Sequence, residues 1–94
     1  MTKYLISFDL NTSNENYEED YIALEEEMGQ MGFICKPLNN VFLLATQKDA
    51  IDIRRALLDC ASSINALLVI QVNNTYASFN FKKKNEEIKE ILEK

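Results

Sequence analysis

Apolar and polar side chains alternate over residues 3–10. Tyr4, Ile6 and Phe8 fall on one side, and Leu5, Ser7 and Asp9 on the other. A period of two, carried by β-branched and aromatic residues, predicts a strand. The polar cluster NTSNEN follows and predicts a loop, with Ser13, Asn14 or Asn16 capping a helix. The period then changes. Tyr17, Tyr21, Leu24, Met28 and Met31 recur at spacings of four, three, four and three, which makes one helical stripe. Glu18, Glu19 and Asp20 favour the positive end of that helix dipole. Gly29 and Gly32 end it, with Gly32 the better candidate for a left-handed cap.

Beyond the helix, FICKPL and VFLLAT flank Asn39-Asn40 and predict a hairpin, because asparagine tolerates the positive φ of tight turns. Pro37 lacks a ladder donor, so the first arm belongs at a sheet edge or a bulge. VFLLAT is almost unbroken apolar sequence, as in a strand covered on both faces. Residues 47–62 predict a second helix, with Thr46 and Asp49 forming a start that resembles a capping box. Its inward stripe is Ala50, Ile53, Ala56, Leu57 and Cys60. ALLVIQVN, residues 66–73, predicts another buried strand. A second Asn-Asn turn at Asn73-Asn74 leads into TYASFNF, residues 75–81, which alternates and predicts a short fifth strand. KKKNEEIKEILEK predicts a short, fraying helix with Ile88, Ile91 and Leu92 on one side.

The order is thus β-α-β-β-α-β with an extra C-terminal strand and short helix. This is an α+β chain with a ferredoxin-like antiparallel sheet. It forms one domain over residues 1–94, with a core over 1–81 and a C-terminal helix over 82–94. The two long helices cover one sheet face. The other face carries Leu and Val and needs a cover, for which a second copy is the usual source, so a homodimer is expected.

Composition removes several chemistries. The chain has 94 residues and no histidine, so it holds no Ser-His-Asp triad and no imidazole base. Two glycines cannot write a P-loop or a three-glycine dinucleotide fingerprint. Two cysteines, Cys35 and Cys60, make neither a disulfide framework nor a structural zinc site and are expected as buried small hydrophobes. The absence of a long apolar run and of an export signal predicts no membrane association and a cytoplasmic location. Net charge is −5, and its distribution is uneven. Eight acids and no base lie between Lys3 and Lys36. Such a block disfavours a nucleic-acid backbone near the first helix.

YLISFDLN, at positions 4–11, and LLVIQVNNTYASFNF, at 67–81, carry a resemblance. With the long first helix and the hairpin around Cys35, they make the chain similar to the small SinR-like proteins of the CRISPR-associated Cas-two-like superfamily. It is similar also to the virulence-associated toxin ribonucleases. The resemblance covers nearly all residues up to Phe81. It implies a ferredoxin-like homodimer working in a nucleic-acid or phage-defence setting. It also implies that Asp9 sits near the dimer axis, once from each protomer. There the pair would hold magnesium and activate water against a phosphodiester. One Asp per chain is a thin metal site, to which the nearby Ser7 and Asn11 could add oxygen ligands. This sequence departs from the family in having no base between Asp9 and Lys36.

That departure ranks a non-catalytic scaffold or adaptor first. A magnesium-dependent endonuclease or endoribonuclease using Asp9 as catalytic and metal-binding residue is the alternative. A third reading is an acidic protein-binding inhibitor working through Glu18, Glu19, Glu25 and Glu26. The structural reading of Asp9 is a strand-end residue bonding the NTSN loop. Arg54 and Arg55 are the candidate nucleic-acid contacts, ahead of Lys82, Lys83 and Lys84 at the start of the last helix. Tyr76 and Phe79 are the candidate dimer interface.

Overall fold

The alternating run at the N-terminus forms β1 (Thr2–Leu10), and the four-three stripe forms α1 (Tyr17–Met31). The hairpin arms are β2 (Gly32–Leu38) and β3 (Val41–Thr46). Then come α2 (Ala50–Cys60), β4 (Ile64–Val72) and α3 (Lys84–Leu92). This computed structural model describes residues 1–81 and 84–94, so Lys82 and Lys83 lie outside the described residues. Among the described residues the result is a small α+β fold of three helices and a four-stranded sheet. The sheet order is β2-β3-β1-β4, and each neighbouring pair is antiparallel. No helix among the described residues is long and apolar enough to cross a membrane.

The periodicities set the layers. Tyr4, Ile6 and Phe8 of β1 join Phe42 and Leu44 of β3 under Leu24 and Met28 of α1 and Ile53 and Leu57 of α2. Phe8 stacks on Phe42 at 6.1 Å between centroids and meets Tyr21 edge-on at 5.8 Å. Such pairs contribute beyond their buried area. On the opposite face, Leu43 and Ala45 of β3 are buried under Ile88, Ile91 and Leu92 of α3. VFLLAT is covered on both faces, as its unbroken apolar run predicts.

The turns explain the boundaries. Asn40 closes the β2–β3 turn at φ 59°. β2 is an edge strand, and its register with β3 slips between Cys35 and Leu38, around Pro37. The N-cap of α2 lies three residues later than its capping-box reading: it is Asp49, whose carboxylate accepts from the Asp52 amide at 2.8 Å. Thr46 instead stays in β3, where its hydroxyl donates to the Met31 carbonyl at 2.7 Å. That bond satisfies one of the orphan carbonyls at the end of α1.

Gly32 is not the left-handed cap. It has φ 172° and is the extended first residue of β2, directly opposite Thr46. Glycine is needed there for closeness, since a Cβ would collide with the Ala45 carbonyl oxygen.

The fifth strand is also absent. Residues 73–81 carry no regular structure. Asn73 turns its own side-chain oxygen onto the Thr75 amide at 2.8 Å, which bends the chain away from β4 instead of reversing it alongside. Asn80 is left-handed at φ 63°. Tyr76 and Ser78 bond Asn85 at the start of α3, with the Ser78 hydroxyl donating at 2.6 Å. Alternation over seven residues makes a strand only where a strand edge is within reach, and these bonds hold the segment elsewhere. β4 therefore remains at the sheet edge and is not a fully buried strand. Leu68 is 54% and Ile70 49% exposed.

The two glycines should separate in a stability measurement. Gly29 lies in α1 with nothing within 4 Å of where a Cβ would stand. Gly29→Ala should stabilise by about 0.5–1 kcal/mol in urea unfolding. Gly32→Ala, which overfills the contact with β3, should destabilise by roughly 1–3 kcal/mol.

Candidate functional site

β1 positions the residue singled out for chemistry. Asp9 shares its side of the strand with Leu5 and Ser7, facing away from the core that α1 and α2 cover. In the ladder with β4, Ser7 lies opposite Leu68 and Asp9 opposite Ala66. These four line a shallow hollow of about 180 Å³. The register slips between Asp9 and Leu10, a β-bulge after which Leu10 pairs with Ile64.

Asn11 does not join this group. Its side-chain oxygen accepts from the Ser13 amide at 3.0 Å, and its own amide donates to the Ser63 carbonyl at 2.7 Å. Asn14 takes the Asn16 amide at 2.9 Å. The loop is thus held by its own asparagines, which fill the part the sequence reading gave to Asp9. Ser7 stays beside Asp9. Among the described residues no group of three or more His, Cys, Asp or Glu is placed to hold a metal ion. One protomer supplies one carboxylate and one hydroxyl here, and magnesium would need the rest of its oxygen ligands from elsewhere.

The other named residues lie apart from Asp9. Arg54 and Arg55 are exposed on α2, and the Arg55 guanidinium lies 4.0 Å from the Asp52 carboxylate. α2 packs on the opposite sheet face, so the sheet separates these arginines from the side of Asp9. The acids of α1 are close to Asp9 in sequence, but they ride on the same helical layer as α2. Both cysteines are free and partly buried. Burial, helped by the charges of Glu87 and Glu90, pushes the Cys35 thiol up to about 11. Burial, and then Glu27, raises the Cys60 thiol as well. Both rest as neutral thiols, consistent with small packing residues.

Tyr76 and Phe79 fall on the irregular segment. The Tyr76 hydroxyl reaches the Asn85 carbonyl at 3.4 Å, while Phe79 is 89% exposed. Together with Leu5, Leu43, Val72 and Ile88 they line an apolar groove of about 530 Å³ on the α3 side of the sheet.

Leu68 and Ile70, on the same sheet face beside Leu5 and Ser7, sit in a continuous apolar run whose pattern predicts a buried strand, yet both are about half exposed. The signal that would have found them is topological: the last strand pairs on one side only. No protein-family model, no curated protein and no solved structure matches the chain.

One acid of the N-terminal block has a defined structural task. The Asp20 carboxylate accepts from the Ser63 amide at 2.9 Å and ties α1 to the α2–β4 connection. The buried Ser63 hydroxyl beside it has no hydrogen bond of normal geometry. Its dipole and the amide together hold the Asp20 carboxyl below its ordinary value. A depressed carboxylate contributes stability above its unfolded value of 3.8 and loses it as pH falls through the lower folded value. Asp20→Asn should therefore melt below wild type at pH 7. The gap should close in melting curves taken progressively below pH 3.8.

Proposed function

We propose that the chain works as a homodimeric, non-catalytic scaffold or adaptor of the Cas-two-like kind, with its helices and sheet in the ferredoxin-like arrangement. The β-α-β-β-α-β order and the fully antiparallel sheet support that arrangement. One observation carries the dimer. α3 packs chiefly over β2 and β3, with Leu5 and Val72 at the margin of its contact, and leaves Leu68 and Ile70 on β4 exposed beside Leu5 and Ser7. Contiguous exposed apolar surface on a small domain is characteristic of an interaction site. A second copy meeting this face would bury both leucine–isoleucine pairs at once in a two-fold contact. Phe79, exposed on the segment that leads into α3, offers a further apolar contact.

Light scattering at micromolar concentration should return about twice the chain mass of 10.8 kDa. The Leu68→Asp, Ile70→Asp double variant should scatter as a monomer. Its far-UV circular dichroism should match wild type, because both side chains are about half exposed within one protomer, while its melting should fall to that of the free protomer. A monomeric wild type would overturn the dimer.

A magnesium-dependent nuclease using Asp9 is the second reading. Asp9 lies on the same sheet face as Leu68 and Ile70, so a dimer through that face brings two Asp9 carboxylates toward one axis. Paired carboxylates holding magnesium would activate water for attack on a phosphodiester. RNA and duplex DNA should be offered with magnesium and with manganese, comparing wild type and Asp9→Ala. The scaffold reading expects no cleavage by either protein. Cleavage by wild type that Asp9→Ala abolishes would replace it with the nuclease.

A further inference from the structure

The sheet order leaves β2 as well as β4 with an unpaired outer edge. An edge strand presents free N–H and C=O groups to any extended chain that reaches it. At β2 that edge is the floor of a groove of about 560 Å³. Glu25 and Gly29 of α1 form one wall, and Glu87 and Glu90 of α3 form the other. The far end of the strand is closed by the bulge around Pro37, which has no N–H to offer, and whose carbonyl accepts from Lys84 Nζ at 3.2 Å. The usable edge is therefore residues 32–36.

Two independent features describe what fits. The first is Gly29. A glycine within a helix costs about 0.5–1 kcal/mol relative to alanine. Gly32 repays that kind of cost through its close approach to β3, but Gly29 has no atom within 4 Å to accommodate. Its effect is to keep the α1 wall low along the groove. The second is charge. Three glutamates line the groove from both sides, while its two lysines are drawn onto ring faces. Lys36 lies 4.9 Å from the centre of Tyr21, and Lys94 lies 4.3 Å from that of Phe33. The negative field reaches the strand itself, since Glu87 and Glu90 add to the rise of the Cys35 thiol.

We propose that this groove docks an extended, lysine- or arginine-bearing segment of a partner protein, which adds to β2 as a further antiparallel or parallel strand. The main chain of the segment bonds the edge, and its alternate side chains reach the two acidic walls. The site is separate from the surface that carries the dimer, so either can fail without the other.

The probe is a fluorescein-labelled, end-blocked nonapeptide of alternating lysine and valine, with alternating glutamate and valine as the control. Fluorescence anisotropy should show the lysine peptide binding at least about tenfold tighter than the control, and weakening as salt rises. The Glu87→Lys, Glu90→Lys double variant and Gly29→Arg should each weaken it by about tenfold or more while melting normally. Amide exchange of bound protein should slow in β2 and not in β4. Absence of binding, equal binding of the two peptides, indifference to both variants, or slowing confined to β4 would each overturn the proposal. Conversion of a dimer to a monomer by Gly29→Arg would overturn it too, by assigning the groove to a second copy.

Discussion

β3 must be buried on both of its faces, and the rest of the molecule follows from that demand. Phe42, Leu44 and Thr46 point into the layer of α1 and α2, while Leu43 and Ala45 point the other way. A single layer of helices cannot satisfy such a strand. The chain therefore needs a second cover, and α3 supplies it with Ile88, Ile91 and Leu92. Each of these buried side chains contributes roughly 1.5–3 kcal/mol relative to exposure. That is enough to order a nine-residue helix that would be marginal by itself in water.

The second cover is narrower than the first. α1 and α2 span the sheet, whereas α3 sits over β2 and β3. This asymmetry produces the two surfaces of functional interest. On the β4 side it leaves Leu68 and Ile70 uncovered, next to Ser7 and Asp9. On the β2 side it raises a wall beside an open strand edge and turns that edge into a groove. The N-terminal acid block, which dominates the charge arithmetic, has a more divided role than its density suggests. Asp20 is a structural tie to Ser63, Glu25 faces the groove, and Glu18, Glu19 and Glu26 are exposed.

Local patterns were legible wherever the periodicity was long or the turn chemistry specific. The α1 stripe, the Asn39-Asn40 hairpin, the bulge at Pro37 and the double burial of VFLLAT all follow from short-range rules. Features decided by the third dimension were not legible. Residues 75–81 alternate as well as β1 does, yet Asn73 and Asn85 direct them away from any partner strand. Gly32 looks like a helix cap until the Ala45 carbonyl is seen beside it. Asp9 and the acids of α1 are neighbours in the sequence, but a helix that packs on the core face is separated by the sheet from a side chain on the other face. The site was legible as far as Asp9 and Ser7 sharing one side of a strand. Which surfaces stayed open around them was not, because that depends on how far α3 reaches.

The place of β1 in the sheet has a consequence for how the chain is made. β1 lies between β3 and β4, and its first pairs join Lys3 to Val72 and Thr2 to Thr46. The hairpin β2–β3 can close as soon as it leaves the ribosome. β1 finds its first partner only with β3, and its second only once β4 has followed. Until then one edge of an apolar strand stays unsatisfied. In the interval between β3 and β4 the open side of β1 is an unpaired apolar edge of the kind that invites aggregation.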